Sequence, residues 1–269
     1  MNFNSASPPL PANLPRAPGM CGQGLRLRAL AMRFGAVQAL AGIDLEVAQG
    51  ERRVLLGTNG AGKTTLFNLI AGELQPTQGL IEWMGRPLAG LAPHQRARLG
   101  VARTYQSSAL LETLSVRDNL VLAVLGARGR QWGMWPLKGG DGAVLAAVAQ
   151  ARAGGLGALL DSSAGLLSHG QRRQLEIAMA LAQQPRLLLL DEPAAGLSPA
   201  ERPALIASLR ALPRSLTLLM IEHDMDVALA LADRVTVMRD GRIVAEGTPA
   251  QVRADPAVQA IYLGGGGHG

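Results

Sequence analysis

Apolar residues fall in two rhythms along this chain. Short apolar runs over 25–31, 43–47 and 52–57, separated by glycine and polar turns, read as strands. A helical spacing follows over about 62–72, then a strand over 79–84 and a short one over 101–105. From 116 to about 160 the pattern is mainly helical, broken over 126–142 by a loop that holds Trp132, Trp135 and Pro136. A helix over 170–183 leads into strand 186–191, helix 199–211, strand 216–221, helix 224–231 and strands 234–239 and 242–246. Two short helices, over 249–254 and 256–263, close the pattern, and no internal repeat is visible. Strands alternating with helices predict an α/β fold with a mixed, largely parallel sheet core. The β-rich start and the helical middle, about 107–183, predict an antiparallel β sub-region and a helical sub-region beside it.

The ends differ from this body. Pro8, Pro9, Pro11, Pro15 and Pro18 forbid regular pairing, so residues 1–24 read as a disordered leader and 264–269 as a flexible tail. Residues 25–263 then form one domain. Aromatic residues make up only 3%, so aliphatic side chains must fill the core. No apolar run reaches the ~20 residues that span a bilayer, and the N-terminus lacks the features of a secretory signal. A lone cysteine, Cys21, rules out a disulfide framework within one chain and suits a reducing cytosol. The net charge of +6 is spread over scattered arginines, which reads as a basic solvated surface and not as a nucleic-acid footprint. Only Lys63 and Lys138 are lysines, which makes the place of Lys63 informative.

That place is in Gly57-Thr58-Asn59-Gly60-Ala61-Gly62-Lys63-Thr64, which fits G-x-x-x-x-G-K-[ST] in full. An apolar strand precedes it and a helical pattern follows, the context a phosphate-binding loop needs. Gly57, Gly60 and Gly62 let the backbone wrap a phosphate, while the amides of Asn59, Ala61 and the helix start, through Thr65, point at the anion. Lys63 supplies a point charge to the outer phosphates, and Thr64 offers its hydroxyl to Mg²⁺. Leu187-Leu188-Leu189-Leu190-Asp191-Glu192 is an apolar strand that ends in two carboxylates at the sheet edge where α/β folds bind ligands. Asp191 suits a water-bridged metal and Glu192 a general base. Leu167-Ser168-His169-Gly170-Gln171 opens another helix, with Ser168 as N-cap, and makes a second anion-facing helix start. One nucleotide does not need two such starts from one chain, but a head-to-tail dimer would use both.

Together these motifs resemble the nucleotide-binding subunits of ABC transporters. Residues 57–64 are similar to Walker A, 187–192 to Walker B, and 167–171 to the LSGGQ signature with His169 in place of a glycine. Gln106 is similar to the Q-loop glutamine and His223 to the switch histidine. Gly196-Leu197-Ser198 resembles the D-loop, with Ser198 where many members have Asp. Phe34 stands where the family places its adenine-stacking aromatic. The resemblance runs in motif order over about 25–263. It implies a P-loop NTPase fold of the ABC type that binds ATP and Mg²⁺. Catalysis would rest on Glu192, His223 and Lys63. The nucleotide would be held by Phe34, Gly57, Asn59, Gly60, Ala61, Gly62, Lys63, Thr64 and Thr65. Ser168, Gly170 and Gln171 would reach it from the other subunit, and Thr64, Gln106 and Asp191 would hold the metal.

The segments Ala102-Arg103-Thr104-Tyr105-Gln106, Leu175-Glu176-Ile177-Ala178 and Ile221-Glu222-His223-Asp224-Met225 resemble branched-chain amino-acid importer ATPases, with urea-type importers close around 167–171. The implied partners are integral-membrane permease subunits, a second ATP-binding subunit in a homo- or heterodimer and, indirectly, a substrate-binding protein. No nucleic acid is expected, and the implied location is the cytoplasmic face of the membrane. Two alternatives stay open at this point: the ATPase of an ABC exporter, and a non-transport ABC ATPase acting on nucleic acid.

Overall fold

The computed structural model describes residues 24–104, 110–127 and 141–263. Residues 1–23 of the expected leader, Gln106, the Trp132–Trp135 loop and the glycine tail lie outside them, while Gly24 starts a strand.

The described residues open with a long hairpin, β1 (Gly24–Phe34) and β2 (Val37–Ala48), joined by a tight turn at Gly35. The two expected short strands are therefore the buried parts of longer ones. Leu25, Leu27, Leu30, Leu40, Ile43, Leu45 and Val47 alternate inward on this pair while charged residues face out. Next come β3 (Arg52–Gly57), α1 (Lys63–Ala71), β4 (Gln78–Trp83) and β5 (Arg86–Pro87). Strands β2, β1, β4 and β5 form an antiparallel sheet in that order.

A short helix that the pattern did not announce, α2 (Pro93–Arg98), follows. Pro93 sits at its first turn, and Gln95 Oε1 accepts from the Ala92 amide. Its buried Arg96 donates to the carbonyls of Leu69 and Ile70 at 2.6 and 2.9 Å, satisfying orphan acceptors at the end of α1. β6 (Val101–Arg103) is shorter than the 101–105 expected. The helical region holds α3 (Val116–Ala127), α4 (Gly142–Ala153) and α5 (His169–Ala182) around a cluster that includes Leu120, Ala147, Ala151 and Leu175.

The second half alternates as expected: β7 (Leu187–Asp191), α6 (Arg202–Ala211), β8 (Thr217–Ile221), α7 (Met225–Leu231), β9 (Arg234–Arg239) and β10 (Arg242–Gly247). It ends in α8 (Pro249–Ala254) and α9 (Pro256–Leu263). Helix α6 starts three residues later than the expected 199, because Glu201 Oε2 accepts from both the amide and the hydroxyl of Ser198 and closes a separate turn there.

Six strands form the central sheet in the order β10-β9-β3-β8-β7-β6, parallel except for the β10–β9 pair. Period-2 alternation splits the central strands between two cores. Leu55, Leu187, Leu189, Leu219 and Ile221 face the antiparallel sheet and α1, while Val54, Leu56, Leu188, Leu190, Leu218 and Met220 face the helices on the other side. Each fully buried leucine contributes about 2 kcal/mol, and burial on both faces explains why these strands read as unbroken apolar runs. The register sets Asp191 beside Ile221 and Ile221 beside Leu55. The residues after β3, β7 and β8 therefore emerge together at one carboxyl edge.

Candidate active site

Three neighbouring parallel strands deliver the site. Strand β3 ends in the glycine loop, β7 in Asp191 and Glu192, and β8 in Glu222 and His223. The loop turns sharply into α1 through Gly62, whose φ of 96° puts it in the left-handed region. A side chain there would meet the Ala39 carbonyl oxygen and Leu40 Cδ2, each at 2.7 Å, so β2 lies against the loop. Thr58, Asn59, Gly60 and Thr64 are exposed on its open side, Thr65 is half-buried and Ala61 is buried beneath. No side chain caps α1, which leaves its first amides to the concave side of the loop. Phe34, half exposed at the hairpin end and paired with Val37, belongs to the same hairpin as Ala39 and Leu40.

Lys63 is 6% exposed and reaches back across the loop, donating to the carbonyls of Gly57 at 2.7 Å and Thr58 at 2.9 Å. Burial lowers its pKa, and the nearby charges of Glu192 and Asp191 work against that shift. Asp191 is buried, and burial raises its pKa; the hydrogen bond and charge of Arg103 act in the other direction. Glu192 has a left-handed φ of 47°, unusual for a side-chain-bearing residue and of the kind that clusters at functional sites. Its amide donates to Ile221 O at 3.0 Å, and its Oε2 lies 3.7 Å from His223 Nδ1. The four groups expected to do chemistry thus share one edge: Lys63, Asp191, Glu192 and His223.

The second helix start is built differently. Ser168 caps α5 by accepting from the Gln171 amide at 3.3 Å, and Gln171 Oε1 accepts from the Ser168 amide at 2.9 Å. Gln171 Oε1 is therefore committed to a capping box, which leaves the side-chain NH2 as a donor. Ser168 and His169 are exposed. His169 Nε2 lies 3.2 Å from Ala195 O, and a side chain on Gly196 would fall 2.5 Å from that nitrogen, so the signature turn rests on the segment 195–196. A cavity of about 330 Å³ separates the start of α5 from the carboxylates, lined by His169, Arg172, Arg173, Glu176, Asp191, Glu192 and Ala195.

Sequence reasoning missed three buried charged groups here. Arg173 of α5 donates to the carbonyls of Asp191 and Pro193. Arg103 of β6 pairs with the Asp191 side chain at 3.0 Å. Glu222 accepts from the Ala194 amide at 3.1 Å and is pushed up to about 7, mainly by burial. The available signal was a charged residue inside or just past an apolar strand, as in Val101-Ala102-Arg103 and Ile221-Glu222. Of the metal ligands expected, Thr64 and Asp191 lie in this site, and Gln106 lies outside the described residues. No group of three His, Cys, Asp or Glu forms a metal cluster among the described residues. Mg²⁺ does not need one, since it is usually held by one or two protein oxygens plus phosphates and water. Asp191 Oδ1 fits that demand: it is buried with no hydrogen-bond partner among the described residues.

With the geometry in view, residues 40–195 match the family model of the ABC transporter. The chain belongs to that family. It is accordingly an α/β P-loop ATPase whose ATP hydrolysis is coupled to transport. Residues 242–268 match a second model, the branched-chain amino acid ATP-binding cassette transporter. The chain is 39% identical over 249 residues to the high-affinity branched-chain amino acid transport ATP-binding protein BraF of Pseudomonas aeruginosa, covering 89% of this chain and 97% of BraF. It is 39% identical over 251 residues to LivG of Escherichia coli, a protein of the same description, covering 89% and 97%. A crystal structure of the ADP conformation of an ABC transporter's ATP-binding cassette superposes with a TM-score of 0.80 at 30% identity, covering 90% of this chain and 99% of that one. These relatives favour the import reading over an exporter or a nucleic-acid ATPase. Among the described residues no helix is long and apolar enough to cross a membrane.

Proposed function

We propose that this subunit binds Mg-ATP on residues 57–65, with Phe34 against the adenine, and hydrolyses it with Glu192 as general base. The observation that carries this reading is the single edge shared by Lys63, Asp191, Glu192 and His223. Lys63 leaves the Gly57 and Thr58 carbonyls for the outer phosphates. Glu192 takes a proton from a water whose oxygen attacks the γ-phosphorus in line, while the bond to the β–γ bridging oxygen breaks and ADP leaves. His223, beside Glu192, donates to the γ-phosphate oxygens. Thr64 and Asp191 are the described residues that would hold Mg²⁺, which would supply charge neutralisation for the phosphates. Ser168, Gly170 and Gln171 meet the nucleotide of a second ATP-binding subunit in a head-to-tail pair. That pair sits at the cytoplasmic face of the membrane on separate permease subunits. The solute imported is a branched-chain amino acid or a related small polar compound, a reading supported by the 39% identical relatives and the match over 242–268.

The test compares ATP hydrolysis by the purified protein and by Glu192→Gln, with size-exclusion chromatography in Mg-ATP. A general base contributes about 10²–10⁴ in rate, so the variant should lose at least 100-fold while gathering as an ATP-dependent dimer. Turnover equal to wild type would remove Glu192 from the mechanism.

A further inference from the structure

The two oxygens of Asp191 are treated differently. Oδ2 accepts from Arg103 Nη2 at 3.0 Å, whereas Oδ1 is buried with no hydrogen-bond partner among the described residues. Arg103 is held firmly enough to impose that asymmetry. Its side chain is only 7% exposed. Its Nη1 donates to Asn68 Oδ1 at 2.6 Å and to Glu73 Oε2 at 3.2 Å, and its guanidinium carbon lies 5.8 Å from the centre of the Phe67 ring. Residues from α1 and the turn after it thus fix one end of the fork, and β7 takes the other. A planar guanidinium gripped this way sets the rotation of the carboxylate it holds, which a flexible ammonium would not do. Strand pairing adds to the constraint, since Arg103 lies opposite Leu189, two residues before Asp191.

We propose that Arg103 is the positioning residue of the metal site: by gripping Asp191 Oδ2 it turns Oδ1 toward Mg²⁺ or the water bound to it. The inference rests on the reading of Asp191 as the metal-side carboxylate. Partners that orient a ligand in this manner are typically worth 10–100-fold in metal affinity. The competing idea is charge repulsion, in which a guanidinium so near a dication weakens its binding. The two ideas give opposite signs.

The experiment measures binding of a fluorescent ATP analogue to the full chain in EDTA and in Mg²⁺, and takes the ratio of the two affinities. Arg103→Gln, shown to be folded by circular dichroism, should lose about ten-fold of that ratio, with the metal-free affinity within about two-fold of wild type. A ratio that is unchanged or larger overturns the proposal, because a merely structural arginine would move both affinities together. If Arg103→Gln does not fold, Arg103→Lys carries the test. It keeps the charge and loses the fork, so the ratio should fall, by less than in Arg103→Gln, and a wild-type ratio overturns the proposal. Asp191→Asn separates the two levels. If it abolishes the Mg²⁺ gain while Arg103→Gln keeps it, only the positioning role fails. If Asp191→Asn also keeps the gain, the metal-side reading of Asp191 fails, and the proposal with it.

Discussion

Helices α1 and α5 both begin at turns suited to an anion, and they are finished in opposite ways. The start of α1 has no side-chain cap, a left-handed glycine in front and a buried lysine as its first residue. The start of α5 is closed by its own Ser168–Gln171 capping box, is exposed, and brings no lysine. Leaving the first amides of a helix unpaired costs stability unless a ligand takes them, so α1 is built around something it expects to hold. The α5 start is stable by itself and keeps the Ser168 O–H to offer, while the Ser168 oxygen accepts from the Gln171 amide. One start can hold a nucleotide alone; the other adds to a nucleotide brought by a partner.

The largest expected effect tests the first half of that contrast. In Lys63→Ala the loop keeps its shape-giving glycines but loses the charge. Charge-assisted hydrogen bonds are worth about 1.5–3 kcal/mol each, so ATP affinity of the monomer should fall about 100-fold, measured by titration with a fluorescent analogue. Affinity within a few-fold of wild type would mean that the backbone alone holds the phosphates, and the two starts would then differ less than their chemistry suggests.

A smaller effect probes the ground between them. Glu222 lies where the two sides join: its amide donates to Leu55 O at 3.1 Å, and its carboxylate accepts from Ala194, one residue before the segment on which His169 rests. Burial, with help from the charges of Asp224 and Glu192, raises its pKa from 4.5 to about 7. Between those values the folded chain keeps a proton that the unfolded chain has released. The stabilising contribution is therefore complete below pH 4.5, declines as pH rises through the window, and is gone above about 7. A shift of this size corresponds to about 3 kcal/mol. Glu222→Gln keeps an acceptor for the Ala194 amide and cannot titrate. Urea unfolding at pH 5, 6, 7 and 8 should show the variant gaining stability relative to wild type by up to about 3 kcal/mol as pH rises. Parallel curves for the two proteins would show that Glu222 ionises without cost and is not the joint described.

What could be read from the chain beforehand follows the same divide. The glycine loop, the apolar strands β3, β7 and β8, and the ordered appearance of Asp191, Glu192 and His223 are local patterns, so they were legible residue by residue. The supports were not, because they are non-local. Arg96 belongs to a six-residue helix, too short for its spacing to stand out, and matters only because it ends under the last turn of α1. Arg103 sits in a run that resembles family wording and Arg173 just outside two such runs, yet each is placed by strands and helices distant in sequence. The hairpin β1–β2 is longer than its apolar runs suggest because register shifts along β1 break the alternation that marks a strand.

The smallest effect is the most specific to the second helix start. Ser168→Ala removes the cap from α5 and should lower monomer stability by about 1 kcal/mol, read from urea unfolding. Monomer affinity for ATP should stay within two-fold, because residues 57–65 lie elsewhere in the same subunit. What should change is association: the ATP-dependent dimer of the Glu192→Gln background should weaken about ten-fold when Ser168→Ala is added, the value of one hydrogen bond to a charged phosphate. Ser168→Thr keeps both the cap and the hydroxyl, so it should restore most of the dimer. If Ser168→Ala dimerises as well as its parent, the serine serves only to cap α5. The contrast between the two helix starts would then be one of local stability and not of which subunit's nucleotide each one meets.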